Sequence, residues 1–199
     1  MNAPRSLQRI CVFCGSSRGN KTEYLSAAQA VGQELSHRDL VLVYGGGNIG
    51  LMGALADATL TAGGRVIGVI PEALLAKEVG HCGLPDLRVV KTMHERKALM
   101  AELSDGFIAL PGGFGTFEEF FEVLTWSQLG LHSKPCGVLN LSGFFDPLLE
   151  LLDHSVREGF VRPAHRELVL VDTDICRLLE RMTAFQSLPD HKWIDREAV

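Results

Sequence analysis

Residues 109–123, with the sequence ALPGGFGTFEEFFEV, contain the transition that decides how this chain folds. An apolar run ends at Pro111, three glycines follow within four residues, and an amphipathic segment starts at Thr116. A strand that passes through a glycine-rich turn into a helix is typical of α/β domains, and the unpaired N–H groups of that first helical turn bind anions. Glu118 and Glu119 follow at once. The stretch therefore predicts an anion site at a helix start, with carboxylates directly beside it.

The same alternation of strand and helix signals runs through the chain. Amphipathic segments such as 23–37 and 146–159 are typical of helices. Between such segments stand short, continuous apolar runs rich in β-branched residues, as expected of strands buried in a parallel sheet, at 10–14, 40–44, 65–70, 87–90, 106–110, 136–141 and 168–171. We therefore predict one α/β domain over residues 1–199, a doubly wound, Rossmann-like parallel sheet of about seven strands with helices on both faces. Residues 1–8 and 187–199 are expected to be loose tails.

Composition and charge exclude several classes of protein. Hydrophobic residues make up 46% of the 199 residues and charged residues 22%, which is typical of a globular domain. The net charge of −5 argues against sequence-independent nucleic-acid binding, which needs a basic surface. The polar start MNAPRSLQR lacks the apolar region of a signal peptide, and no apolar run is long enough to span a membrane. We predict a cytoplasmic protein that binds neither nucleic acid nor membranes.

The cysteines do not indicate a metal site. The chain has five, an odd number that is typical of a reducing compartment. Cys11 and Cys14 form a C-x-x-C pair, but both lie in a predicted strand, where an offset of three places their side chains on opposite faces. Because no second cysteine pair completes a tetrahedral set, we predict that no metal is bound.

Three of the predicted strands end in glycine-rich loops, at 14–20, 44–50 and 110–116. Ligands of such sheets bind at the carboxyl ends of the strands, so the three loops meet at the binding edge. Close backbone contact at three loops indicates a nucleotide, although 110–116 could also be a tight turn without a ligand. The loop 44–50 also matches G-x-G-x-x-G, with Glu72 near the expected acidic position, which keeps an NAD-type dinucleotide open.

Glu119 has two interpretations on the sequence alone. Thr116 to Glu119 matches the T-x-x-E capping box, in which the glutamate bonds back to the first residue of the helix. Alternatively, the helix dipole holds Glu119 ionised beside a bound nucleotide. Such a carboxylate would orient a water molecule or stabilise the oxocarbenium-like state that forms when a bond at a sugar's anomeric carbon breaks.

A second cluster of charged residues lies in 91–100, KTMHERKALM, directly after a predicted strand. Helical spacing places Met93, Arg96, Lys97 and Met100 on one face. Arg96 and Lys97 would offset the charge of a phosphate and of Glu119. Thr92 and Glu95 form another T-x-x-E box, so Glu95 is expected to be a cap, and His94 is expected at the surface or in packing.

Together these motifs resemble one family. CVFCGSS, LVYGGGNIGLMG, GVIP, MHERK and PGGFGTFEE occur in this order between Ile10 and Leu170, which is nearly the whole chain. In this the chain is similar to the Lonely Guy (LOG) family of cytokinin riboside 5′-monophosphate phosphoribohydrolases. The resemblance implies an N-glycosyl hydrolase that acts on an N6-modified AMP, such as isopentenyladenosine monophosphate, or on AMP. The products would be the free base, an active cytokinin in the first case, and ribose 5-phosphate, with no cofactor and no metal.

The resemblance also implies which residues act. The family's catalytic glutamate maps to Glu119 and its catalytic arginine to Arg96, with Lys97 beside it. Its nucleotide contacts map to Glu78, to Gly113, Phe114, Gly115, Thr116, Phe117 and Glu118, and to Thr125. From the loops and from the helical face that carries Arg96, we add further predicted substrate contacts, namely Gly15, Ser16, Gly45, Gly46, Gly47, Met93 and Gly112. The division of roles between Glu118 and Glu119 stays open.

The family is dimeric or larger, with its active site near the subunit interface. The segment 117–131 agrees, since it carries more apolar residues than one core-facing stripe needs, although deep burial in a monomer would also explain them. We therefore predict a homodimer or higher homo-oligomer that binds a nucleoside 5′-monophosphate. A nucleotide carrier without catalysis is the alternative; it would keep the glycine loops but would not need both Arg96 and Glu119. The preferred base also stays open.

Overall fold

The fold is a parallel sheet covered by helices on both faces. The computed structural model describes residues 6–75 and 80–187. In this part of the chain the sheet has seven strands in the order β4-β3-β2-β1-β5-β6-β7, and every pairing is parallel. The strands are β1 Arg9–Phe13, β2 Val41–Tyr44, β3 Val66–Pro71, β4 Asp86–Val90, β5 Gly106–Ala109, β6 Cys136–Leu139 and β7 Val169–Asp172. The predicted fold class and all seven predicted strands are confirmed.

The helices form the two outer layers. They are α1 Thr22–His37, α2 Gly50–Thr61, α3 Glu72–Leu75, α4 Met93–Leu103, α5 Phe114–Gln128, α6 Asp146–Arg157, α7 Pro163–Arg166 and α8 Ile175–Ala184, with a 3₁₀ turn at Leu141–Gly143. Helices α1, α2 and α8 pack on one face of the sheet, and α4, α5 and α6 pack on the other. Cys11 belongs to the second of these cores and Cys14 to the first, so the C-x-x-C side chains point to opposite faces, as predicted. Burial raises the pKa of both thiols.

The strand order reverses between β1 and β5. The chain builds outward from β1 to β4, returns through α4, and places β5 on the other side of β1. Beyond the two strands the backbones stay in contact, because Leu110 N–H donates to the Phe13 carbonyl at 2.9 Å and Gly15 N–H donates to the Pro111 carbonyl at 3.0 Å. The chain then leaves β1 towards one face and β5 towards the other, which opens a crevice at this point.

Helix α5 starts two residues earlier than the sequence predicts. Gly113 is the extended residue before the helix, with φ −104° and ψ −154°, and its carbonyl accepts from Phe117 N–H at 3.1 Å. Thr116 is therefore buried inside the first turn, and its hydroxyl lies where a Cβ on Gly112 would overlap it. The predicted start at Thr116 is wrong because Gly112 has no Cβ, which leaves room for the Thr116 hydroxyl inside the first turn. Glu119 is the sixth residue of the helix and cannot cap it.

The predicted cap at Thr92 and Glu95 is confirmed, with the glutamate bonding to the N–H one residue before the cap rather than to that of the cap itself. At the start of α4, Thr92 Oγ1 accepts from Glu95 N–H at 3.1 Å, and Glu95 Oε2 accepts from Lys91 N–H at 2.8 Å. Glu95 is thus a surface cap, and His94 beside it is exposed, as expected. The two T-x-x-E sequences look alike but serve different purposes, because Thr92 is itself the extended residue before α4, whereas Thr116 lies inside the first turn of α5.

The predicted loose tails at 1–8 and 187–199 are only partly covered by the described residues. Of the predicted N-terminal tail, Leu7 packs against the core and Gln8 N–H donates to Asp105 Oδ2 at 3.0 Å. The segments 1–5 and 188–199 of the predicted tails lie outside the described residues. Across the described ranges, each helix is too short or too polar to cross a membrane.

Candidate active site

A cleft of about 430 Å³ opens at the carboxyl edge of the sheet, where the strand order reverses. All three glycine loops contribute to it, together with the first turns of α2, α4 and α5. Its lining residues are Cys14, Gly15, Ser16, Gly45, Gly47, Ile49, Met52, Ile70, Leu74, Met93, Arg96, Gly113, Phe114, Gly115, Thr116, Glu118 and Glu119. The structure therefore brings the charged segment 91–100 together with the glycine loop and glutamates of segment 109–123.

A buried ion pair connects α4 to α5 at this cleft. Arg96 Nη1 lies 2.8 Å from Glu119 Oε1, and the two side chains are only 10% and 9% exposed. The N–H of Arg96 is not aligned for a hydrogen bond to this oxygen, and Oε1 has no other hydrogen-bond partner among the described residues. A charged oxygen at a ligand cleft thus keeps hydrogen-bonding capacity for a molecule that enters it.

Burial changes the proton affinity of Glu119. Desolvation raises the pKa of this carboxyl, while Arg96 opposes the rise and Glu118 adds to it; the net direction is upward. Glu119 lies beyond the first turn, so the helix dipole, which the sequence predicts to hold it ionised, acts on it only weakly. A raised pKa makes the ionised carboxylate a stronger base than an exposed one.

The second glycine loop supports Arg96. A Cβ on Gly45 would overlap the Arg96 guanidinium, so the side chain lies directly against the loop backbone. Arg96 Nε also donates to the Val69 carbonyl at 3.2 Å. These contacts fix the guanidinium between β2 and β3 and aim its Nη1 at Glu119.

The first two glycine loops interlock. Gly50 has φ +66°, and a Cβ there would overlap the Ser16 backbone. Leu51 N–H donates to the Gly15 carbonyl at 3.0 Å. The third glycine of the G-x-G-x-x-G sequence therefore serves contact between loops, a role that needs no dinucleotide.

The start of α5 supplies an open anion seat. Phe114, Gly115 and Thr116 are its first three residues, whose N–H groups have no carbonyl partner within the helix. Among the described residues outside this helix turn, no atom lies within 4 Å of the position that a Cβ would take on Gly113 or Gly115. Phe114, 94% exposed, stands at the mouth of the cleft. The start of α5 therefore has unpaired N–H groups of the kind that bind anions.

Lys97 is placed differently from the expectation that it offsets ligand charge. Its Nζ contacts Glu118 and lies 3.0 Å from Glu122 Oε1, and its side chain is only 10% exposed. Lys97 does not line the cleft. Its charge is matched by two carboxylates of α5, so its visible effect is to hold Glu118 at the edge of the cleft.

Other predicted contacts also lie away from the cleft. Gly46 and Gly112 are in the loops but do not line it, and Phe117 packs against the Phe144 ring, with 6.4 Å between centroids. Thr125 is exposed, donates to the Phe121 carbonyl at 2.7 Å, and lies about 13–14 Å further along α5 than Thr116. Glu78 lies outside the described residues.

Sequence reasoning missed the apolar wall of the cleft, formed by Cys14, Ile49, Met52, Ile70 and Leu74. Cys14 and Ile49 stand inside the glycine loops, and Ile70 lies near the end of a predicted strand. Their position at the binding edge was the signal available, but an apolar side chain at a strand end usually belongs to the core.

Two larger clefts lie elsewhere. One, of about 910 Å³, runs between α1 and α2 and includes Arg18, Asp57 and Thr61; the other, of about 760 Å³, lies at the amino edge of the sheet beside Arg9 and Arg65. Neither contains the buried ion pair. Chemistry rather than volume therefore makes the 430 Å³ cleft the candidate site.

Known proteins match this chain over most of its length. The model of a family described as possible lysine decarboxylase matches residues 52–182. The cytokinin riboside 5′-monophosphate phosphoribohydrolase of Rhodococcoides fascians is 55% identical over 167 residues, which cover 83% of this chain and 84% of that protein. The Arabidopsis thaliana protein of the same name, LOG1, is 46% identical over 192 residues, 96% of this chain and 89% of that protein.

Solved structures share the fold at lower identity. The molybdenum cofactor carrier protein of Chlamydomonas reinhardtii superposes with a TM-score of 0.68 at 21% identity, covering 90% of this chain and all of that one. At this identity the likeness is one of fold.

Replacing Glu119 by glutamine should leave the protein at least as stable at neutral pH. The folded-state pKa of Glu119 is raised, so its contribution to stability is present below the unfolded-state pKa and is lost as the pH rises through the folded-state pKa. Glutamine resembles the protonated acid and escapes this loss. Melting temperatures measured between roughly pH 4 and pH 8 should show Glu119→Gln gaining on the wild type as pH rises.

The surface cap provides the control for that experiment. Glu95→Gln keeps a side chain that serves the same capping position, so its melting temperature should follow the wild type at every pH. A Glu119→Gln protein that melts lower than the wild type at neutral pH would contradict the prediction, because attraction to Arg96 would then outweigh burial.

Proposed function

Because this chain belongs to the family of cytokinin riboside 5′-monophosphate phosphoribohydrolases, we propose that it hydrolyses the N-glycosidic bond of a purine nucleoside 5′-monophosphate. The products are the free base and ribose 5-phosphate. With an N6-modified AMP such as isopentenyladenosine monophosphate the base is an active cytokinin; AMP is the simpler substrate of the same class. The observation that carries the proposal is the buried Arg96–Glu119 pair in a cleft that has an open helix start at one end.

The 5′-phosphate binds at the start of α5. The N–H groups of Phe114, Gly115 and Thr116 and the positive end of the helix dipole favour an anion there. Glu119 lies five residues after Phe114, about 7–8 Å along the helix axis. A phosphate held at the helix start therefore extends its sugar towards the carboxylate.

The reaction breaks the bond between C1′ of the ribose and the base nitrogen. The base leaves with the bonding electron pair and takes up a proton, C1′ becomes positive, and a water oxygen then bonds to C1′ and loses a proton. An ionised Glu119 stabilises the positive carbon and accepts the proton from water. Its raised pKa makes it a better proton acceptor than an ordinary surface carboxylate.

Arg96 favours the ionised form of the Glu119 carboxylate. A lone buried carboxylate would be protonated at neutral pH, and the guanidinium at 2.8 Å opposes that tendency. The guanidinium is itself held by Val69 and Gly45, so Glu119 has a fixed direction rather than a range of rotamers. Holding a reacting group in the correct orientation lowers the free-energy barrier of the reaction.

The apolar wall of the cleft suits the base. Ile49, Met52, Ile70 and Leu74 offer surface to a planar ring, while the polar groups lie towards α4 and α5. A ligand with an anionic end and an apolar end thus has one favourable orientation.

The alternatives fit the cleft less well. A nucleotide carrier gains nothing from an ion pair that must be desolvated, since burying charges costs free energy. For an NAD-type ligand, Glu72 would have to reach the ribose, but it is exposed and does not line the cleft. Lysine decarboxylation through pyridoxal needs a lysine amine, and no lysine is found among the described residues of the cleft.

The protein acts as a homodimer or larger assembly. Core packing uses much of the apolar surface of α5, since Phe120 and Val123 are buried, but Leu131 just beyond the helix is 67% exposed. Thr125 supports assembly more directly. If it contacts nucleotide, as the family implies, its distance from the start of α5 means that the nucleotide lies in the cleft of another subunit.

Products and variants test the reaction. Incubation with AMP or isopentenyladenosine monophosphate should yield free base and ribose 5-phosphate, detected by chromatography. Glu119→Gln should lower kcat by about 10²–10⁴-fold, the usual effect of losing an acid–base group, and Arg96→Ala should lower it as well. Glu95→Gln is the matched control and should keep nearly full activity. Release of nucleoside and inorganic phosphate instead would identify a phosphatase and refute the proposal.

The phosphate seat predicts a strong preference for the monophosphate. Two charge-assisted hydrogen bonds from the α5 N–H groups at about 1.5 kcal/mol each correspond to about 10² in kcat/KM. The unphosphorylated riboside should be a poorer substrate by at least that factor. Equal kcat/KM for the riboside and its monophosphate would remove the phosphate from this seat.

Assembly is measured independently of activity. Light scattering at micromolar concentration should give at least twice the chain mass of 21.7 kDa. Replacement of Leu131 by glutamate should shift the protein towards the monomer, because it places a charge on the exposed apolar surface. A wild-type protein that is monomeric under these conditions would contradict the prediction.

A further inference from the structure

The backbone of His81 bonds to the second glycine loop, and the His81 side chain pairs with Asp57 outside the cleft. His81 Nε2 lies 2.9 Å from Asp57 Oδ1 on α2, and His81 N–H donates to the Gly46 carbonyl at 2.9 Å. Gly80 forms an antiparallel bridge with Gly47. His81 is buried, whereas the Asp57 side chain is 65% exposed. The loop is thus joined through one imidazole ring to the helix on the opposite side of the sheet from Arg96.

The chemistry of His81 indicates that its contact with Asp57 matters. Because an ionised carboxylate only accepts hydrogen bonds, Nε2 carries a proton and donates it to Asp57. Nδ1 is buried and has no hydrogen-bond partner among the residues that the structure describes. A buried nitrogen without a partner is costly, and an apolar side chain would fill the space without that cost. The bond to Asp57 accounts for a histidine at this position.

The same loop is the surface on which Arg96 rests. Gly45 is two residues before Gly47, and a Cβ on Gly45 would overlap the guanidinium. Gly46, between them, has φ +71° and lies close to Ile70 and Leu87, so the backbone has little room to move independently. A displacement of this loop would move Arg96, and through the 2.8 Å ion pair it would move Glu119.

We propose that His81 and Asp57 are positioning residues for the hydrolysis. They fix the Gly45–Gly47 loop so that Arg96 aims Glu119 at the anomeric carbon, and they do so without lining the cleft themselves, as far as the described residues show. The proposal rests on the proposed function, because it concerns the same catalytic pair.

Kinetics separate positioning from binding. Asp57→Ala and His81→Asn each remove the contact, since an asparagine amide ends near the position of Nδ1 rather than Nε2. Both should lower kcat about tenfold, the effect of a displacement well under 1 Å, while KM for AMP changes little because the α5 phosphate seat is untouched. His81→Gln, whose amide nitrogen reaches the position of Nε2, and Asp57→Asn, which keeps an acceptor, should restore kcat to within about twofold.

Asp153→Ala is the matched control. It removes another exposed carboxylate that pairs with a cation, Arg166 Nε at 2.7 Å, on α6 and away from the cleft. Its kcat should equal that of the wild type. Unchanged kcat in Asp57→Ala and His81→Asn overturns the proposal, even if their melting temperatures fall, as does His81→Gln that is no better than His81→Asn. Either disrupting variant suffices if the other does not fold.

A readout without substrate keeps this test apart from that of the proposed function. The Nε–H of Arg96 donates to the Val69 carbonyl, so its NMR resonance should shift and exchange faster with solvent in Asp57→Ala but not in Asp153→Ala. An unchanged resonance in Asp57→Ala overturns the proposal. If the wild type releases no base, the proposed function has failed, and this resonance still decides whether His81 and Asp57 position Arg96.

Discussion

The reversal of strand order between β1 and β5 is the constraint on which the site depends. Two neighbouring parallel strands end side by side, and their chains must leave towards opposite faces of the sheet. Their backbones separate only after Gly15 and Pro111 have made a hydrogen bond of 3.0 Å, and Gly112 is close enough that a side chain at either glycine would meet the other's backbone. The crevice, the open start of α5 and the meeting of the glycine loops all follow from that divergence.

The ion pair in this crevice is a compromise between stability and chemistry. Burial raises the pKa of Glu119, so the fold bears a cost for keeping its charged form. Arg96 reduces that cost without abolishing it, and glycine at position 45 makes room for the guanidinium. A structure optimised only for stability would replace the pair by apolar side chains. The retained pair therefore supports the proposal that this cleft is the active site.

Much of this architecture is predictable from the sequence because it depends on local patterns. Apolar runs of four to six residues give the strands, and glycines at their carboxyl ends give the loops. The Thr92–Glu95 cap is also local and was predicted correctly. Thr116 and Glu119 show the limit: the same pattern is overridden because Gly113 starts the helix earlier and Arg96, distant in sequence, draws the carboxylate to another contact. The pairing of Lys97 with Glu118 and Glu122 and the apolar wall near Ile49 likewise depend on tertiary contacts that no single segment encodes.

The close contact between Gly50 and the Ser16 backbone has a mechanical consequence. Neither loop can shift without displacing the other, because Gly50 lies against the Ser16 backbone and Leu51 N–H donates to the Gly15 carbonyl. The segments 14–20 and 44–50 therefore form one rigid unit. On the other side of the cleft, Phe114 is 94% exposed, and among the described residues no atom outside the helix turn lies within 4 Å of a Cβ position on Gly113 or Gly115. We therefore expect any adjustment to a ligand to occur at the start of α5 rather than in the two interlocked loops.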